Sequence, residues 1–201
     1  MSQEIKPRFE FRTFANNFGL VETRMRTYSK CEQIRESSEI YIMSAANNEN
    51  NTKIRDDLMD IKVFVKEENG FQQWNPRMKG SFPMEASKLK EEVFPAFGVE
   101  VPELTREVYT LDQYLDEIIK PHKDLVAVQV FKRRFAFTVN DTIAETARLL
   151  INGAEIQTVC IESTELDDLA KAKDMLGLGD YENINYLMAI KRIIGMEPLP
   201  A

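Results

Sequence analysis

Several stretches of the chain alternate a charged residue with an apolar one, the period of a strand with one buried face. Residues 53–66 carry the pattern most fully. Lys53 and Arg55 share one face with Ile54 opposite; after a break near residues 56–58, Asp60, Lys62, Phe64 and Lys66 alternate with Ile61, Val63 and Val65. Near the start, Arg8, Glu10 and Arg12 fall on one face and Phe9 and Phe11 on the other. In the Val- and Phe-rich residues 124–139, Lys132 and Arg134 share a face and Arg133 turns the other way, toward solvent. In residues 155–163, Thr158, Cys160 and Glu162 oppose Val159 and Ile161.

Further strands are predicted over 34–45, 71–79 and 143–151. Asn69-Gly70, Asn140-Asp141 and Asn152-Gly153 read as hairpin turns, and the Asn-rich residues 47–51 as a polar turn between strands. Pro76 marks an edge strand, a bulge or a strand end, because it cannot donate to a ladder. Helical spacing is predicted over 16–30, 84–97, 111–119, 164–176 and 181–194. Thr110 caps the third of these and Pro121 closes it; Gly98, Gly177 and Gly195 are stop signals. Pro95 is expected to end the second helix early. Thr164 and Asp167 form a capping-box arrangement with Asp in place of Glu or Gln. The pattern therefore predicts an α+β fold: about eight antiparallel strands joined largely by hairpins, closed into a barrel, with peripheral helices. With helices outside, the charged strand faces turn inward.

Composition narrows the function. The chain has 201 residues, enough for one large domain or two small ones, and is 43% hydrophobic and 29% charged. A formal net charge of −7 argues against a nucleic-acid-coating protein, but not against a basic interior under an acidic exterior. Two distant cysteines, Cys31 and Cys160, and a single histidine, His122, make neither a zinc site nor a disulfide framework. The N-terminal residues are too polar for a signal peptide, and no apolar run approaches the ~20 residues of a membrane span. A soluble, reduced, cytoplasmic protein is expected, with neither nucleic acid nor membrane as partner.

The order of these motifs resembles the CYTH domain, or triphosphate tunnel metalloenzyme, family. The resemblance covers roughly residues 5 to 194 and implies a single tunnel domain over 1–201. The family opens with Glu-x-Glu-x-Lys on the first strand, matched here by Arg8, Glu10 and Arg12. A basic pair and a later lysine are matched by Lys53, Arg55 and Lys62, and a second basic pair by Lys132 and Arg134. A closing Glu-x-Glu strand, a helix and a Gly-Leu segment are matched by Cys160-Ile161-Glu162, residues 164–176 and Gly177-Leu178. Asn185-Tyr186-Leu187 resembles the family's final helix. Two family carboxylates are missing: Arg8 and Cys160 stand in their places. Arg77 and Lys79 stand where many members carry acidic residues.

A triphosphate-containing small molecule is the ligand this implies. Arginine suits bidentate contact with phosphoryl oxygens and lysine serves as a point charge. The phosphate-binding candidates are Arg12, Lys53, Arg55, Lys62, Arg77, Lys79, Lys132 and Arg134, with Arg8 also inward-facing. Such a cationic excess needs a bound anion or abundant water. Hydrolysis would require Mg²⁺ or Mn²⁺ on oxygen ligands, for which Glu10, Glu162 and Glu145 are the candidates. Arg148 rivals Glu145 for the inward position. One metal is conceivable; two are under-supplied.

Competing readings stand beside these. Either basic pair alone is more often a solvated strand face, and the carboxylates can serve as ion-pair partners of the arginines. Cys160 reads as an interior filler, His122 as a surface-loop residue, and Trp74 and Phe71 as core or rim packing more than a nucleobase platform. The alternative function is a non-catalytic protein binding polyphosphate or a phosphorylated metabolite. A class IV-type adenylyl cyclase is the more distant one, and a homodimer is an open option.

Overall fold

The computed structural model describes residues 7–197. Its strands are β1 (Phe9–Ala15), β2 (Gln33–Ser44), β3 (Asn50–Arg55), β4 (Leu58–Glu68), β5 (Phe71–Ser81), β6 (Met84–Glu85), β7 (Val108–Tyr109), β8 (Leu125–Val139), β9 (Thr142–Ile151) and β10 (Ala154–Ser163). Helix α1 is Val21–Tyr28. A continuous helical run, α2, joins Ala86–Lys88, Leu89–Val93 and Phe94–Phe97; a second, α3, joins Leu111–Gln113 and Tyr114–Ile119. The last two helices are α4 (Leu166–Leu176) and α5 (Tyr186–Ile193). Eight strands close into an antiparallel barrel in the order β1-β10-β9-β8-β2-β3-β4-β5, and β6 pairs with β7. The barrel with peripheral helices is the α+β fold expected from the patterning. No helix among the described residues is long and apolar enough to cross a membrane.

Closure depends on tight turns. Asn69-Gly70, Asn140-Asp141 and Asn152-Gly153 each place both central residues at positive φ, the requirement of a two-residue type I′ hairpin. A fourth such turn was not anticipated. Asp56 and Asp57 sit at φ 51° and 56°, so residues 53–66 form a hairpin of two strands, β3 and β4, and the break in alternation is its turn. Asp tolerates the left-handed region through local side-chain hydrogen bonding, though less readily than Asn or Gly.

Two compact units share the described chain: residues 7–37, Phe64–Asn75 and Phe131–Asn185 in the first, Ser38–Val63, Pro76–Val130 and residues 186–197 in the second. In the first unit the core joins Phe9, Phe11, Phe137, Val159 and Ile161 on the strands to Val21 and Met25 of α1 and Leu169, Ala172 and Leu176 of α4. In the second it joins Ile42, Ile54, Met59, Ile61 and Met78 to Leu89, Val93, Phe94 and Phe97 of α2 and to Tyr114, Ile118 and Ile119 of α3. Burying each large side chain contributes about 1.5–3 kcal/mol. Because these apolar faces lie under the helices, the alternate charged faces line the barrel interior.

Several boundaries differ from expectation. Helix α1 starts at Val21, because the Asn17 Oδ1 accepts the Gly19 N–H at 2.6 Å and turns the chain first. Helix α5 starts at Tyr186, because the preceding residues bond to β1: Asn183 Oδ1 accepts the Arg12 N–H at 3.0 Å, and the Ile184 N–H donates to the Arg12 carbonyl at 2.7 Å. Pro95 does not end α2. The run widens to π geometry just before it, with the Phe94 N–H on the Leu89 carbonyl, and stops at Gly98 at φ 67°. Pro76 lies inside β5 of a closed barrel, beyond Gln72 and Gln73, which pair with β1. No side chain caps α4: the Thr164 hydroxyl donates to Glu165 and Ser163 Oγ accepts the Glu165 N–H. Thr110 does cap α3, in a reciprocal capping box with Gln113.

Candidate functional site

In the first unit, strand register assembles a charged group. Arg12 lies directly opposite Cys160, Cys160 opposite Glu145, and Glu10 opposite Glu162. The Arg12 guanidinium lies 3.6 Å from Glu10 and 4.0 Å from each of Glu145 and Glu162. The Cys160 thiol lies 3.7 Å from both Glu10 and Glu162 and can donate its one proton to either. Burial pushes that thiol well above its ordinary range, against the pull of Arg12, so Cys160 is a protonated interior residue. Glu145 therefore faces inward. Arg148 is exposed on the opposite face, 3.9 Å from Glu22 of α1.

Lys132 is buried on β8 between the exposed Phe131 and Arg133. Arg134, on the same face, is partly buried and donates to the Ser37 hydroxyl at 3.1 Å. Arg133 points outward to Glu36, as its neighbours' alternation predicts. Arg8 precedes β1 and is exposed.

In the second unit, β3 and β4 bring Lys53 opposite Asp60, with the ammonium 4.0 Å from the carboxylate. Arg55 lies 3.4 Å from Glu39 of β2, whose carboxylate also accepts the Tyr41 hydroxyl at 3.1 Å. Burial lowers the Lys53 ammonium below its ordinary range; Glu39 and Asp60 oppose this, while Lys62 and Arg55 add to it. Lys62 is exposed, as are Arg77, which donates to Asn50 Oδ1 at 2.9 Å, and Lys79, whose carbonyl accepts the Lys88 ammonium.

The sequence-based balance of charge therefore changes. Glu39 and Asp60 share the interior strand faces with the cations and were not counted, and Arg8, Lys62, Arg77 and Lys79 are solvated. Of the candidate cations, those that are buried or partly buried are Arg12, Lys53, Arg55, Lys132 and Arg134. Glu39 was legible as the i−2 neighbour of Tyr41 on an alternating strand. Asp60 was legible as the residue that a two-residue Asp-Asp turn sets opposite Lys53.

The ligating atoms of Glu10, Cys160 and Glu162 lie within 4.8 Å of one another, a possible metal-binding group. Three carboxylates around one guanidinium leave net negative charge, and Glu10 and Glu162 face each other across adjacent strands. Those oxygens suit one hard divalent cation completed by water or phosphate oxygens; a protonated thiol does not. The set fits one such ion and falls short of two. Phe71 is buried in the first core, and Trp74 packs edge-on against Phe64 with centroids 5.4 Å apart. His122 lies in a loop, hydrogen-bonded to the Glu100 carbonyl.

No protein-family model matches the sequence, and no curated protein does. Solved structures do match. A conserved hypothetical protein from Pyrococcus furiosus aligns over 90% of this chain and 98% of its own, at 14% identity and a TM-score of 0.54. A candidate adenylate cyclase from Bacillus halodurans aligns over 92% and 98%, at 9% identity and a TM-score of 0.52. A candidate adenylyl cyclase from Hippeastrum, described as having a dominant triphosphatase activity, aligns over 96% and 98%, at 10% identity and a TM-score of 0.50. At these identities the likeness is one of fold, the closed antiparallel barrel with peripheral helices expected from the patterning.

Proposed function

We propose that the protein binds a triphosphate compound on the interior face of its barrel and hydrolyses it with one divalent metal ion. The observation that supports this most is the segregation of charge. A closed barrel turns its apolar strand faces to the helices; on the opposite faces lie Arg12, Lys132 and Arg134 with the Glu10–Glu145–Glu162 group in the first unit, and Lys53 and Arg55 in the second. A polyanion is the ligand class that such cations hold best. The guanidinium forks of Arg55 and Arg134 would clamp phosphoryl oxygens, and Lys53 and Lys132 would add point charge. Arg12 would neutralise the oxygens nearest the carboxylates. Glu10 and Glu162, with Glu145 beside them, would hold Mg²⁺ or Mn²⁺, which when bound supplies charge neutralisation and orients the attacking water. Lys62, Arg77 and Lys79, being solvated, would serve entry more than tight contact. This reading keeps one tunnel domain over 1–201 in the cytoplasm.

A non-catalytic binding protein is the second reading. What favours it is the Arg12 guanidinium, which already serves as counter-ion to all three carboxylates, and a thiol at Cys160 in place of an oxygen ligand. Phosphate release from inorganic triphosphate and from ATP, in Mg²⁺, in Mn²⁺ and in EDTA, separates the two. Metal-dependent release that is lost in Glu162→Gln is the expected outcome. Tight triphosphate binding without release in any metal removes the hydrolase and leaves the binding barrel. A cyclic nucleotide product from ATP would point to the cyclase.

A further inference from the structure

Glu39 is the only carboxylate among the described residues that is buried, and its side chain has no exposed surface. Ile42 on the same strand belongs to the second unit's core and Ile40 packs against it, so Glu39 and Tyr41 lie on the opposite, interior face. An ionised carboxylate is kept out of water only where hydrogen bonds and a counter-charge repay its desolvation. The Tyr41 hydroxyl supplies one bond at 3.1 Å and the Arg55 guanidinium another at 3.4 Å. Register sets Tyr41 directly opposite Lys53 on β3, and Lys53 opposite Asp60 on β4.

Two features suggest more than internal packing. The Arg55 side chain remains 39% exposed although its Nη1 lies 3.4 Å from Glu39 and its Nε 3.9 Å from the exposed Asp56, so a guanidinium with five N–H donors still turns some of them to solvent. Lys53 is in the opposite situation: largely buried, with its ammonium disfavoured by burial and supported by Glu39 and Asp60.

We propose that Glu39 is a positioning residue that anchors one edge of the Arg55 guanidinium and, with Asp60, supplies the counter-charge to Lys53, so that both cations are presented to phosphoryl oxygens. The presentation rests on the triphosphate reading above; the anchoring does not. The groups that set the charge on Lys53 are Glu39 from β2, Arg55 on its own strand, and Asp60 and Lys62 from β4.

Glu39→Gln preserves shape and removes the charge. The full chain, labelled with ¹³C-lysine, gives the titration of the Lys53 ammonium by NMR, its signal assigned by its loss in Lys53→Arg. Calorimetry with inorganic triphosphate at pH 7 and pH 9 gives the use made of it. In Glu39→Gln the Lys53 midpoint moves down. Triphosphate affinity falls about tenfold at both pH values, the order expected for one lost charge-assisted interaction. Glu39→Asp, which keeps the charge, restores the Lys53 titration while still weakening triphosphate binding through the retracted Arg55 contact. An unmoved Lys53 midpoint in Glu39→Gln overturns the proposal. If that variant does not fold, wild-type triphosphate affinity in Glu39→Asp overturns it instead. A shifted midpoint in a protein whose wild type binds no triphosphate upholds the anchoring and removes the triphosphate reading.

Discussion

Arg12→Met removes the guanidinium from among three carboxylates and keeps an unbranched apolar stem. The charged groups lie 3.6–4.0 Å apart. One unit pair at about 4 Å is worth about 4 kcal/mol at an effective dielectric of about 20. The three attractions do not sum to net stability. The carboxylate side chains are 23–32% exposed and partly screened, and holding an arginine at 9% exposure has its own desolvation cost. Removing one partner of a buried ion pair costs about 3–5 kcal/mol, and the partial screening places this case near 3 kcal/mol. For a chain of this size each kcal/mol is about 2–4 °C, so the variant should melt about 6–12 °C below wild type in EDTA. The orphaned carboxylates are the proposed metal ligands. A divalent cation at a hundredfold excess over its Kd would return about 2.7 kcal/mol, most of the loss. Thermal melts of both proteins in EDTA, Mg²⁺ and Mn²⁺ read this directly. If the variant melts with the wild type in EDTA, Arg12 does not neutralise the cluster. If it melts low and neither metal raises it, the carboxylates do not hold a divalent ion.

Two further outcomes follow from local physics. Lys53→Met should stabilise the fold at pH 7: burial depresses the folded-state ammonium, so the charged form costs stability at pH values below its folded midpoint, and the cost disappears as pH passes the ordinary lysine range near ~10.4. Melting temperatures across that interval should converge, and a variant no more stable at pH 7 contradicts the burial argument. Asp57→Gly relieves a non-glycine residue at φ 56° in the β3–β4 turn and should raise stability by about 0.5–1 kcal/mol in urea unfolding; a loss would mean that the Asp57 side chain holds the turn.

The barrel was legible because its signals are local. Period-2 charge alternation and Asn-Gly or Asn-Asp turns act within a few residues, and three of the four two-residue hairpin turns announced themselves. The fourth did not, because Asp-Asp is a weak turn signal, and so a hairpin read as one interrupted strand. The ends of α1 and α5 were also missed, for a different reason: side chains of Asn17 and Asn183 divert the backbone through bonds that helical spacing does not encode. Within the candidate site, residues on a shared strand face were recoverable, as with Glu10 and Arg12 or Lys132 and Arg134. Partners set by cross-strand register were not. Glu145 could be told from Arg148 only once β9 was aligned with β10, and the roles of Glu39 and Asp60 needed β2, β3 and β4 side by side.

The most direct test of the binding barrel is calorimetric titration of inorganic triphosphate into the wild type and Lys132→Met, in EDTA, at low and at physiological salt. The proposed function predicts saturable one-to-one binding by the wild type, weakened by salt and largely lost in a folded Lys132→Met. Absence of binding by the wild type at either salt concentration, or undiminished binding by the variant, would contradict an interior site for the triphosphate.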